Sequence, residues 1–173
     1  MRKSIKRTVS IRVVASLTAV ILFSVMMTIS ILRVDNNQTA SAQANALLSR
    51  AQQAETAHYK WSSNLSNALY AGTEFTGSID PSTCVLGQWI YGEAGTDDQT
   101  VLGLRKQLEP LHKELHESAT YVLGLLENDP AQARDYYQQT IQSNLGVLVG
   151  LLDEVVEQGT RLNEESQARM RSV

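Results

Sequence analysis

The chain has 173 residues, 43% of them hydrophobic and only 6% aromatic, with three prolines and a net charge of -3. That length suits one domain with an appendage, and the composition suits helices better than a sheet. Residues 1–12 hold five basic side chains (Arg2, Lys3, Lys6, Arg7, Arg12) and no acid, which leaves ten basic against eighteen acidic residues beyond them. A body this acidic lacks the clustered Lys and Arg that phosphate binding needs, so nucleic acid is excluded as a partner.

The stretch from Val13 to Leu32, VVASLTAVILFSVMMTISIL, is twenty residues without a charge, flanked by Arg12 and Arg33. As a helix it reaches about 30 Å, the thickness of a bilayer's hydrocarbon core. It is predicted to be a single transmembrane helix over 13–33. A secretory signal is the alternative, but its apolar core is commonly shorter, and the small-residue sequence Ala40-Ser41-Ala42 comes late for a cleavage point. The basic residues 1–12 should stay in the cytoplasm, which places the chain from residue 34 outside an inner membrane, in the periplasm or its equivalent.

Beyond the anchor, Leu47, Leu48, Ala51, Ala54, His58, Trp61, Leu65, Ala68 and Leu69 recur at steps of three and four, so a first bundle helix is expected to continue the membrane helix and end before Gly72. TGSIDPSTC interrupts it. Asp80 and Pro81 look like an N-cap and first turn, opening a short helix through Cys84 to about Tyr91. A loop with Gly92 and Gly95 leads to a third helix from about Asp98 to Glu127, which Pro110 should bend or restart. NDPAQ reads as a turn with a new N-cap. The last helix starts near Pro130 and carries Tyr137, Ile141, Leu145, Leu148, Leu152, Val155 and Val156, before RLNEESQARMRSV loses the stripe and is expected to be solvated or frayed. The fold class expected is all-α: an antiparallel four-helix bundle with one short member over 34–160, a tail over 161–173, and the membrane helix in front.

Chemistry concentrates in four residues. His112 and His116, in LHKELH, would project from one face of a helix. A metalloprotease helix would need a glutamate directly after the first histidine, and that position is Lys113; Glu114 lies on the opposite face. The third and last histidine is His58, and Cys84 is the single cysteine, so an internal disulfide is impossible. Outside the membrane that thiol is buried, paired between chains or bound to metal. Three histidines and one cysteine make the inventory of one zinc site with none left over. Each also has a plainer reading: a core histidine, a small buried cysteine, a half-exposed helical pair, with Trp61 and Trp89 as core anchors.

The sequences His58-Tyr59-Lys60-Trp61, Cys84-Val85-Leu86-Gly87-Gln88-Trp89 and Leu111-His112-Lys113-Glu114-Leu115-His116 resemble, in order and flanking aromatics, the chemoreceptor zinc-binding domain (CZB) family, with its pattern H-x-x-W, C-x-x-G-x-W and H-x-x-x-H. The resemblance covers about residues 45–156. It implies that His58, Cys84, His112 and His116 are zinc ligands in a four-helix bundle that regulates an attached signalling unit. The chain would then be either the sensory head of a receptor cut before a second span or a small protein acting on a partner, with a homodimer as one arrangement.

Four protein donors fill a tetrahedron and leave no place for an activated water, so an enzyme is not expected. The expectation is a zinc- or oxidant-responsive sensory domain, Cys84 being the oxidisable ligand. The competing function is an extracytoplasmic bundle that takes a small organic ligand between its helices, zinc being absent or purely structural. Glu55, Glu109, Glu117 and Tyr91 are candidates to orient the imidazoles. Metal is expected chiefly to order the segment 76–99, the helices holding without it.

Overall fold

A computed structural model of the protein describes residues 2–171, with side chains from residue 12 onward. The side chains of Arg2, Lys3, Lys6 and Arg7, which carry most of the basic N-terminal charge, lie outside the described residues. Five α-helices and one π-helical turn follow in order: α1 (Arg2–Ala71), α2 (Val85–Tyr91), α3 (Gln99–Asn128), α4 (Pro130–Tyr136), the π turn (Tyr137–Ile141) and α5 (Gln142–Arg171). The last three join into one rod. The domain is therefore four packed helical members: the outer part of α1, the short α2, α3 and the rod.

In α1 the apolar stretch packs against nothing among the described residues, and Val13, Leu17, Ile21, Phe23 and Leu32 are each more than half exposed. Its most apolar window has a mean hydropathy of 2.2, and the helix is long enough to cross a membrane. From Ala44 onward the same helix turns a regular stripe inward, burying Ala44, Leu47, Ala51, Ala54, His58, Trp61, Leu65 and Leu69. Small residues at three of these positions let a neighbouring helix approach closely. Gly72, at φ +68°, ends α1 in the left-handed region that a side chain disfavours.

Hydrogen bonds fix the directions. Ser166 Oγ donates to the Asn37 carbonyl (2.6 Å), Ser41 Oγ to Asn163 Oδ1 (2.8 Å), and Arg134 Nε to the Leu69 carbonyl (3.0 Å), so α1 and the rod run antiparallel. Gln158 Nε2 reaches Asp98, at the start of α3, and Asn144 Nδ2 reaches Glu114, so α3 also runs antiparallel to α5. The core between them holds Val101, Leu104, Leu108, Leu115, Val122, Leu145, Leu148, Leu152 and Val155.

Three local expectations need correction. The short helix does not begin at Asp80 and Pro81: Asp80 Oδ1 instead accepts from the Ser82 N–H (2.8 Å) in a tight turn, and the N-cap of α2 is Cys84. A carboxylate that can fold back on the residue two ahead competes with capping a helix four residues on. Helix α3 does not restart at Pro110, which sits exposed within one uninterrupted element. Residues 161–171 are not frayed, because α5 continues to Arg171 and Ser166 is fully buried against α1. The N-cap expected within NDPAQ is Asp129, which accepts from the Gln132 N–H (3.0 Å), and Asp98 caps α3 by accepting from the Val101 N–H (3.0 Å).

The π turn has a cause in the sequence. Ala133, Tyr137, Ile141 and Leu145 are all buried at steps of four. On an α-helix each such step overshoots one turn by about 40°, so three in a row would swing the stripe away from the core. A turn closed by i→i+5 hydrogen bonds takes up the surplus residue.

Candidate metal centre

His58 comes from α1, Cys84 from the N-cap of α2, and His112 and His116 from one face of α3, at the positions where those helices meet. All four belong to one cluster, with one potential ligand atom from each lying within 4.8 Å of the others. Cys84 Sγ and His112 Nε2 are 3.1 Å apart. The ring centroids of His58 and His112 are separated by 5.1 Å, and those of His112 and His116 by 4.6 Å, all edge to face. The three imidazoles are at most 2% exposed, and Cys84 is half-buried.

Backbone carbonyls set two of the ring tautomers. His58 Nδ1 lies 2.7 Å from the Ala54 carbonyl and His116 Nδ1 lies 3.0 Å from the Ser78 carbonyl. A carbonyl only accepts, so each Nδ1 carries the proton and each Nε2 keeps a lone pair. Those two Nε2 atoms, with His112 Nδ1 and Arg105 Nε, are the buried side-chain polar atoms without a hydrogen-bond partner among the described residues. Unpartnered buried nitrogens are rare and costly. The Nε2 atoms of His58 and His116, in one cluster with the thiol and the His112 Nε2 beside it, make the arrangement a soft divalent cation would satisfy.

Burial, helped by repulsion from its two neighbours, lowers the pKa of His112 to about 3; burial first and then His58 lower that of His116 to about 4. Burial also lowers His58, against the bond from Ala54. The rings are thus neutral at physiological pH, the form that coordinates metal. Burial pushes the Cys84 thiol up, opposed most by the N–H of Gly87, which donates to Sγ at 3.3 Å. This last contact explains the Cys-x-x-Gly spacing: a Cβ on Gly87 would stand 1.8 Å from the Pro81 carbonyl oxygen, so only glycine brings the first turn of α2 onto its own cap.

Helix α2 is held at both ends. Leu86, Trp89 and Ile90 are buried, Trp89 Nε1 donates to the Ala94 carbonyl (3.0 Å), and Arg105 Nη2 grips the carbonyls of Ile90 (2.7 Å) and Gly92 (2.5 Å). These contacts press the helix, and with it Cys84, against α3.

Residues 58–123 match the family model of the chemoreceptor zinc-binding domain. That segment is similar to a chemoreceptor zinc-binding domain. The match begins on His58 and runs past His116, so all four clustered residues fall inside it. No curated protein and no solved structure matches the chain. The cluster of three histidines and one cysteine is consistent with Zn²⁺, the ion in that family's description.

The acids expected to orient the imidazoles do not do so. The Nδ1–H groups of His58 and His116 are taken by main-chain carbonyls. Glu109 and Tyr91 are exposed, and Glu117 pairs with Lys113 at 3.7 Å on the outer face of α3. Ala54 and Ser78 were missed because any residue supplies a carbonyl. For Ala54 one clue existed: a helical residue four before a histidine offers it the nearest acceptor.

Proposed function

We propose that the chain is a membrane-anchored sensory domain in which His58, Cys84, His112 and His116 together hold one zinc ion. The observation that carries this reading is the convergence of four soft donors from three helices on a point where buried nitrogens have no protein partner. Four protein ligands complete the tetrahedral shell that zinc prefers and leave no position for a substrate or water, so the ion acts as a structural or sensed species. The thiolate of Cys84 is the oxidisable donor, which gives the domain an oxidant response beside a zinc response.

The anchor is the segment 13–33. Its support is its length, its hydropathy and the exposure of its apolar side chains, for which a bilayer supplies the missing contacts. The basic residues before it favour a cytoplasmic N-terminus and an extracytoplasmic bundle beginning near residue 34. Antiparallel packing carries the rod from beside the zinc cluster back to the level of Asn37, next to the anchor, so a change at the metal has a continuous helix along which to reach the membrane and a signalling partner there.

A small-organic-ligand sensor is less well supported. The cavity bounded by Ala44, Leu47, Thr96, Asp98 and Leu162 holds about 240 Å³, below the usual range for ligand pockets, roughly 300–1,000 Å³, and the larger hollows, about 340–440 Å³, are open surface grooves lined mostly by exposed side chains such as Gln52, Gln53, Lys60 and Gln88. Metal analysis of the full chain purified in detergent tests the proposal: one zinc per chain is expected, lost in Cys84→Ala. A wild-type protein without zinc, or a Cys84→Ala variant with its full complement, would overturn it.

A further inference from the structure

Trp61 is buried, as a core anchor would be, but its indole nitrogen has a specific task. Trp61 Nε1 donates to the Ser78 carbonyl at 2.8 Å, and the same oxygen accepts from His116 Nδ1 at 3.0 Å. One carbonyl therefore joins an α1 side chain to an α3 ring, and the Trp61 and His116 rings lie 5.2 Å apart. We propose that Trp61 is a positioning residue of the metal centre: it fixes the Ser78 carbonyl, and through it holds His116 with its Nε2 lone pair turned into the cluster. The inference rests on the zinc reading above for its affinity consequence, and on the geometry alone for its effect on the imidazole.

The strap carrying that carbonyl is clamped from several sides. One turn along α1 from Trp61, Asn64 Oδ1 accepts from the Thr76 N–H (2.9 Å) and its Nδ2 donates to Thr76 Oγ1 (3.1 Å). Phe75 packs edge-on against Trp61, with centroids 5.8 Å apart. At Gly77 a Cβ would fall 2.4 Å from the Phe75 ring and 2.8 Å from Trp61, so the backbone lies directly on these aromatics. On the far side, Ser78 Oγ bonds to Thr83 Oγ1 (2.7 Å) and to the Asp80 carbonyl (3.1 Å), in the turn that leads to Cys84.

These contacts give a reason for the spacing of His58 and Trp61. Three residues apart on one helix, they face the same side, so the helix that offers one imidazole also braces the partner of another. A carbonyl on a mobile strap would let the His116 ring rotate or change tautomer, and the donor would then present N–H instead of a lone pair. Loss of such an orienting partner typically weakens metal binding by about 10- to 100-fold.

The test is Trp61→Phe in the full chain, which keeps a ring and removes the N–H, together with Asn64→Ala, a half-buried change on the same clamp. Zinc affinity is measured by competition with a chromophoric chelator, and the His116 Nδ1–H by imidazole ¹⁵N NMR in the zinc-free and zinc-loaded protein. Trp61→Phe should bind zinc about ten-fold or more weakly and show a mixed-tautomer His116 ring with a faster-exchanging proton. Asn64→Ala should move both readouts the same way by a smaller amount, and Trp89→Phe, whose lost bond goes to Ala94, should leave the His116 tautomer unchanged. If Trp61→Phe does not fold, Asn64→Ala decides by the same readouts. Unchanged affinity and an unchanged His116 proton in the folded variants would overturn the inference. A wild type that binds no zinc would instead overturn the metal reading, and the zinc-free tautomer would still decide the role of Trp61.

Discussion

Cys84 Sγ lies 3.1 Å from His112 Nε2, though the two are 28 positions apart in the chain. The contact exists because α2, only seven residues long, is pinned along its buried face and at its C-terminal end, where Arg105 takes two carbonyls. A cation at the end of a helix favours its dipole and satisfies carbonyls that would otherwise be left over. The metal reading depends on this docking.

Zinc uptake should release about one proton per ion near pH 7.5. Burial keeps the Cys84 thiol protonated in the metal-free protein, while the three imidazoles are already neutral. Titration calorimetry in two buffers of different ionisation enthalpy measures the number. A value near zero would mean that the thiolate exists before the metal arrives.

The metal-free domain should lose stability in mild acid. The folded values of about 3 for His112 and about 4 for His116 lie below the ordinary 6.5, so as pH falls the unfolded chain takes up protons first. The histidine contribution is intact above pH 6.5 and disappears as the pH passes through 4 and 3. The thermal midpoint of chelated protein should therefore drop between pH 6.5 and 4, and His112→Gln should flatten that drop. A midpoint independent of pH over this range would contradict the neutral, buried state of the rings.

Chelation should leave most of the helix content in place. The core from Val101 to Leu108 and from Leu145 to Val155 is apolar and owes nothing to the ligands, whereas the segment 72–98 includes just one seven-residue helix. Circular dichroism should show a small loss and hydrogen exchange a local one, centred on 76–99. Wholesale unfolding would mean that ligation, worth about 10–16 kcal/mol in small zinc domains, holds the entire bundle.

Two glycines should respond oppositely to alanine. At Gly87 the added methyl collides with the Pro81 carbonyl and must push α2 off its cap, so zinc affinity should fall with little change in helicity. At Gly150, exposed within α5, nothing stands within 4 Å of the new Cβ. There the substitution should stabilise by about 0.5–1 kcal/mol, read from denaturant unfolding.

Tyr137→Phe should cost about 1–2 kcal/mol by the same measurement. Its buried hydroxyl donates to the Ser62 carbonyl (3.0 Å) and meets Ser62 Oγ (2.9 Å), tying the π turn to α1 one turn beyond His58. An unchanged midpoint would show that Gln142, which also reaches Ser62 Oγ (2.9 Å), carries the link alone.

The order of residues determined by itself the helical phase and the identity of the donors. Steps of three and four place Ala54, His58, Trp61 and Leu65 on one face whatever surrounds them, and a chain with three histidines and one cysteine can offer only those four as imidazole or thiolate ligands. The cap at NDPAQ, Asp129, was legible because capping is settled within four residues. Tertiary structure alone decided that Cys84 and not Asp80 caps α2, that Ser166 is sealed against α1, and that the Ser78 carbonyl, not a nearby acid, orients the His116 ring. The physical reason is range. Periodicity and capping are fixed by neighbours along the chain, whereas the partner of a buried nitrogen depends on where a loop runs after three helices have packed.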